Sequence, residues 1–87
     1  MILYRWYVGL DKRPSEYLEG VVAGLLNSAT IYYTRGLWHG QYEDSAVVEV
    51  ISPTLSDKQA RAVGEKLRVS MEQTNVLLTN QTVEVER

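Results

Sequence analysis

Two stretches of helical periodicity alternate with four stretches of strand-forming residues, and this order limits the available topologies more than any other feature of the chain. Residues 2–8, Ile-Leu-Tyr-Arg-Trp-Tyr-Val, are mostly aromatic or β-branched and run into Gly9 and the polar turn Asp11-Lys12-Arg13-Pro14, which reads as a strand entering a loop. From Pro14 onward, Leu18, Val21, Val22, Leu25 and Leu26 recur every three or four positions and predict a helix over about 14–27. Pro14 suits its first turn, and Glu16 and Glu19 lie near its positive end. Residues 29–35 and 45–51 have strand propensity, and the nine or so residues between them hold Gly36 and Gly40, as a hairpin connection would. Pro53 stops the third strand, and Ser56-Asp57-Lys58-Gln59 is a capping box that opens a helix over about 57–73, with a stripe of Ala60, Val63, Leu67 and Met71. Residues 76–85 close the chain as a fourth strand.

The order βαββαβ is that of a ferredoxin-like α+β domain. Right-handed crossovers then dictate a four-stranded antiparallel sheet in the order 4-1-3-2, with both helices on one face and residues 1–87 forming a single domain. Gly20 and Gly24, four apart on the first helix, predict a close passage of that helix over the sheet. A chain of 87 residues buries only about 60–65% of its unfolded surface. With no cysteine it has neither disulfides nor thiolate metal sites to compensate, which favours self-association.

The uncovered sheet face is the first candidate surface. Alternation sends Ile2, Tyr4, Trp6 and Val8 toward the helices, and Leu3, Arg5 and Tyr7 to the open face. On strand three, Val47, Glu49 and Ile51 join the second set, so Arg5 and Glu49 are placed as a cross-strand pair within an apolar surround. Exposed apolar area of this kind marks a ligand, a partner or a second copy of the chain, and a homodimer is the simplest closed form.

Net charge is −2, with charges of both signs interspersed, which lacks the footprint of a nucleic-acid binder. The N-terminal MILYRWYVGL carries Arg5 in its middle and has no basic lead-in or cleavage site, so neither a signal peptide nor a membrane span is expected, and the chain reads as cytoplasmic.

The second candidate is the aromatic stretch 32–44, which holds Tyr32, Tyr33, Arg35, Trp38, the only histidine, His39, and Glu43. A structural reading makes Trp38 a hydrophobic plug over the sheet end and leaves His39 in solvent. A binding reading uses Tyr32, Tyr33, Arg35 and Trp38 as rigid aromatic area with one guanidinium, suited to a protein partner or a small nucleotide-like ligand. A catalytic reading orients His39 by Glu43 or Asp44, in a small enzyme needing no cofactor, but no serine or cysteine stands in a nucleophile context. One histidine among scattered carboxylates has no metal-ligand spacing, so no metal site and no cofactor are expected.

The pieces YVGL, GLWHGQYEDSAVVEVI and KLRVSMEQTNVLL resemble a family of small bacterial proteins known only as a domain of unknown function. The matching positions are Tyr7 with Gly9, Gly36 with Trp38, and Gln73 with Val76, while Asp44 departs from the strand-three motif. The resemblance implies the ferredoxin-like fold and a hairpin from Trp38 to Glu43 that belongs to a recurring design, without naming an activity. Together these readings lead to the expectation of a non-catalytic, homo-oligomeric binding or interaction module, with an enzyme using Arg35, His39 and a carboxylate as the alternative.

Overall fold

The computed structural model describes residues 1–86. Its elements are β1 (Ile2–Gly9), α1 (Ser15–Leu25), β2 (Thr30–Trp38), β3 (Gln41–Ser52), α2 (Asp57–Ser70) and β4 (Leu77–Thr82). They form one antiparallel sheet in the order β2-β3-β1-β4, the ferredoxin-like arrangement expected from the alternation of periods.

The core lies between the sheet and the two helices. Tyr4, Trp6 and Val8 of β1 and Ala46 and Val48 of β3 meet Leu18 and Val22 of α1 and Ala60, Val63, Leu67 and Met71 of α2. Two large aromatic residues enter this core because their polar tips are satisfied there. The Trp6 indole Nε1 donates to the Ala60 carbonyl at 2.9 Å, and the Tyr4 hydroxyl reaches both the Leu55 carbonyl and Asp57 Oδ1 at 3.0 Å. Burial and the Asp57 carboxylate together hold the Tyr4 phenol above its ordinary pKa, so it stays a donor.

The start of α2 follows its sequence signal. Ser56 Oγ accepts from the Gln59 amide at 3.1 Å, and Gln59 Oε1 accepts from the Ser56 amide at 2.8 Å, which satisfies two helix-end donors reciprocally. By contrast, α1 begins after Pro14 with no side-chain cap.

Three local expectations are corrected. The connection between β2 and β3 is not nine residues but two, His39 and Gly40, because Gly36 lies inside β2 opposite Glu43. Gly20 and Gly24 do not sit under the sheet: a Cβ at either would meet nothing within 4 Å, and both are exposed. The close approach is at Gly64 of α2, where a Cβ would lie 3.2 Å from Trp6 Cδ1, since the bulky indole occupies the space between sheet and helix. Leu3 projects to the open face but is only 6% exposed, because its strand is central and Ile51 and Gln81 flank it in register on both sides.

Gly9 and Gln73 explain each other. A side chain at Gly9 would collide with the Gln73 amide, whose Nε2 donates to Asp11 Oδ1 at 2.8 Å and to the Met71 carbonyl at 3.1 Å, tying the β1–α1 loop to the end of α2. No helix among the described residues is long and apolar enough to cross a membrane.

Candidate functional site

The β2–β3 hairpin outruns the rest of the sheet. β1 follows β3 only as far as Gly9 opposite Ser45, with one further bond from the Leu10 amide to the Asp44 carbonyl. Beyond that point Arg35–Trp38 and Gln41–Asp44 pair only with each other, a ribbon projecting about 13 Å at the usual rise per residue. Its turn consists of His39 at φ 48° and Gly40 at φ 76°, the left-handed pair that a two-residue hairpin turn requires.

This geometry decides the fate of Trp38. It stands at the end of the ribbon, 62% exposed, with His39 edge-on to its ring at 4.9 Å. It therefore does not plug the sheet within its own chain, because the ribbon carries it away from the core. His39 is exposed and forms no hydrogen bond or ion pair with a carboxylate among the described residues. The Arg35-His39-carboxylate grouping is not assembled within the chain.

Strand alternation divides the aromatic stretch between two faces. Tyr33 points toward the helices, where its hydroxyl donates to the Glu19 carboxylate of α1, and this contact with burial pushes its pKa up to about 12. Arg35 and Leu37 share that side, with the Arg35 guanidinium 5.2 Å from the centre of the Tyr42 ring. Tyr32, Gly36, Trp38 and Glu43 are on the opposite side, the open face, together with Arg5, Tyr7 and Glu49. Part of the hairpin set, Tyr32, Trp38 and Glu43, thus shares one continuous surface with Arg5, Tyr7 and Glu49 of β1 and β3, whereas Tyr33 and Arg35 lie on the other face.

Four levels of that surface can be followed along β3. At the first, Glu49 accepts from Arg5 Nε at 2.8 Å, and the Tyr32 hydroxyl donates to its other oxygen at 3.4 Å. This contact keeps the Arg5 guanidinium protonated beyond its ordinary range. At the second, Tyr7 and Tyr32 flank Val47, 39% and 48% exposed. At the third, the Thr34 and Ser45 hydroxyls are 2.7 Å apart. At the fourth, Glu43 faces Gly36, whose missing side chain leaves bare backbone beside a half-buried carboxylate that has no ion-pair partner among the described residues.

Sequence reasoning did not find the Thr34–Ser45 pair or the gap at Gly36. Both follow from the strand register, and the signal for that register was the His39-Gly40 dipeptide read as a tight turn. Among the described residues no group of three or more His, Cys, Asp or Glu side chains is arranged to hold a metal.

No family model matches the chain, and no curated protein matches it. A solved structure of a phage SAM lyase in its apo state is similar, with a TM-score of 0.74 and 26% sequence identity, covering 92% of this chain and 78% of that one. The de novo designed protein Foldit4 aligns with a TM-score of 0.51 over 95% of this chain and 96% of its own, at 10% identity, a likeness of fold alone.

Proposed function

We propose that the chain is a homo-oligomeric binding domain for S-adenosylmethionine and acts on it as a lyase. The observation that carries the reading is the similarity to the phage SAM lyase, 26% identical over 92% of this chain at a TM-score of 0.74. The chemistry of the open face supports it. A sulfonium has no N–H or O–H to donate, so aromatic faces and carboxylates are what attract it. Tyr7 and Tyr32 supply the rings, and Glu49 and Glu43 supply charge at either end. The Thr34 and Ser45 hydroxyls, the Glu43 carboxylate and the open backbone at Gly36 suit a nucleoside with its ribose diol. The sequence-based expectation of a small nucleotide-like ligand is thereby given a definite chemical form.

Homo-oligomerisation belongs to the same proposal. The open face is a nearly flat sheet that does not exclude water on its own, and Trp38 lies about 27 Å along the strand from the level of Glu49, too far for one ligand to touch both in one chain. A two-stranded ribbon is marginal alone in water, and this one exposes Leu37, Trp38 and Tyr42, each above 60%. Laying it across the open face of a neighbouring copy covers both surfaces, and a homodimer is the simplest closed form.

The lyase step balances within the substrate. The electron pair of a carbon–sulfur bond leaves with sulfur, the sulfonium becomes a neutral thioether, and the carbon is satisfied by a bond formed inside the remaining fragment. His39 has no part in this reading. We place the protein in the cytoplasm, where its proposed substrate is used, and the resemblance to an uncharacterised bacterial family adds the fold but no activity.

Isothermal titration of the purified protein with S-adenosylmethionine, followed by chromatography for the thioether product, tests the proposal. Heat of binding with conversion supports it in full, and binding without conversion reduces the protein to a non-catalytic module. Absence of both refutes it. Sedimentation at tens of micromolar that shows only a ~10 kDa species would remove the homo-oligomer, since interfaces of standard size bind more tightly than that.

A further inference from the structure

We infer that Arg5 and Glu49 together read the amino-acid head group of the ligand, Arg5 taking the α-carboxylate and Glu49 the α-ammonium. The inference deepens the reading above and rests on it. Among the described residues of the four strands, those whose register places them on the open face include the carboxylates Glu43 and Glu49 but no basic side chain other than Arg5, so Arg5 is that face's one cationic side chain. A ligand with a carboxylate has a single counter-charge available there.

Arg5 is also incompletely used. Only its Nε meets Glu49, at 2.8 Å, and among the described residues its two terminal nitrogens have no protein acceptor. Those nitrogens form the fork that grips a carboxylate. Glu49 is likewise half committed: one oxygen meets Arg5 and the other has only the long 3.4 Å contact with the Tyr32 hydroxyl, so lone pairs remain for an ammonium. Their side chains are 36% and 16% exposed, reachable from solvent yet shielded enough for charge to matter.

Stability gives little reason for the pair to be there. A partly exposed ion pair adds little to folding, and a zwitterionic couple whose neighbours in register and on the adjoining levels include Tyr7, Thr30, Tyr32, Val47, Ile51 and Thr79 has the composition of an orienting polar group in a ligand site. An α-amino acid presents a carboxylate and an ammonium on one carbon, the complement of a guanidinium beside a carboxylate. With the head group seated on Arg5 and Glu49, the sulfonium falls at the next level along the sheet, where Tyr7 and Tyr32 stand.

Three ligands and one conservative variant separate this role from a structural one. S-adenosylmethionine, its decarboxylated analogue and S-adenosylhomocysteine are titrated into wild type and into Arg5→Lys and Arg5→Gln, with thermal melts confirming that each variant is folded. Wild type is expected to prefer S-adenosylmethionine over the decarboxylated analogue by about 10- to 100-fold, the worth of one charge-assisted contact. Arg5→Gln should erase that preference while leaving affinity for the decarboxylated analogue within about threefold, and S-adenosylhomocysteine, which keeps the carboxylate, should lose as much affinity as S-adenosylmethionine. Arg5→Lys should keep part of the preference. An equal loss for all three ligands would mean that Arg5 only holds Glu49 in place and would overturn the inference, as would an unchanged preference. A wild-type protein that binds none of the three defeats the proposed function itself, whereas binding with no carboxylate preference defeats only the inference.

Discussion

Three glycines lie inside helices, and replacing each with alanine should give opposite outcomes. Gly20 and Gly24 of α1 are exposed, and a Cβ at either would meet nothing within 4 Å. The only change is then intrinsic: alanine restricts the unfolded chain and favours the helix by up to about 1 kcal/mol per site. The two substitutions together should add about 1–2 kcal/mol, and at about 4–8 °C per kcal/mol for a domain of this size the double variant should melt at least about 4 °C higher. Gly64 has the same intrinsic gain available but nowhere to put the methyl group. A Cβ there would lie 3.2 Å from Trp6 Cδ1 and 3.3 Å from Nε1, inside ordinary carbon contact. The ring cannot retreat cheaply, because Trp6 is wholly buried and its Nε1 is tied to the Ala60 carbonyl. Overpacking of this kind costs about 1–3 kcal/mol, enough to cancel or exceed the helical gain, so Gly64→Ala should leave the melting temperature unchanged or lower it. Calorimetry or circular dichroism melts of the three single variants and the double decide the matter. A Gly64→Ala protein as stabilised as Gly20→Ala would refute the packing argument, and a destabilised Gly20→Ala or Gly24→Ala would show that α1 is covered by something in solution.

The two tryptophans should likewise part company. Trp6→Ala is expected to cost about 3–5 kcal/mol as a full core truncation, while Trp38→Ala, with most of its surface already in water, should cost at most about 1–2 kcal/mol in denaturant melts of dilute protein. A Trp38 variant as damaged as the Trp6 one would restore the plug. Tyr33 provides a test in alkali. Its pKa is raised from 10.0 to about 12 by the bond to Glu19, so the contact's contribution is complete below pH 10 and fades as the pH rises through about 12. Absorbance titration should show that Tyr33→Phe removes one late-ionising phenol. An unchanged titration curve for Tyr33→Phe would refute the contact.

Much of the candidate site was legible because it depends on period alone. Alternation along β1 and β3 placed Arg5 opposite Glu49 with no knowledge of the third dimension, and antiparallel pairing brought them within bonding distance. The hairpin was harder. Its strands continue through Gly36, a residue that ordinarily signals an end, and the true turn is a His-Gly pair, so the predicted loop absorbed three residues of β2, Gly36–Trp38, and four of β3, Gln41–Asp44. Because successive side chains of a strand point to opposite faces, Tyr32 and Tyr33 are neighbours in the sequence and separate in space.

The local part of this protein is therefore the sequence's own: where strands and helices lie, the capping box at Ser56, and which positions of β1 face the helices, since each follows from residue spacing and hydrogen bonds a few residues apart. Long-range geometry decided the rest. Which helix approaches the sheet closely depends on the volume of Trp6, and whether Trp38 is buried depends on how far β3 outlasts β1. The continuity of Glu43, Tyr32, Tyr7, Arg5 and Glu49 depends on a register linking three strands. These are properties of side chains meeting across dozens of intervening residues, and no local period encodes them.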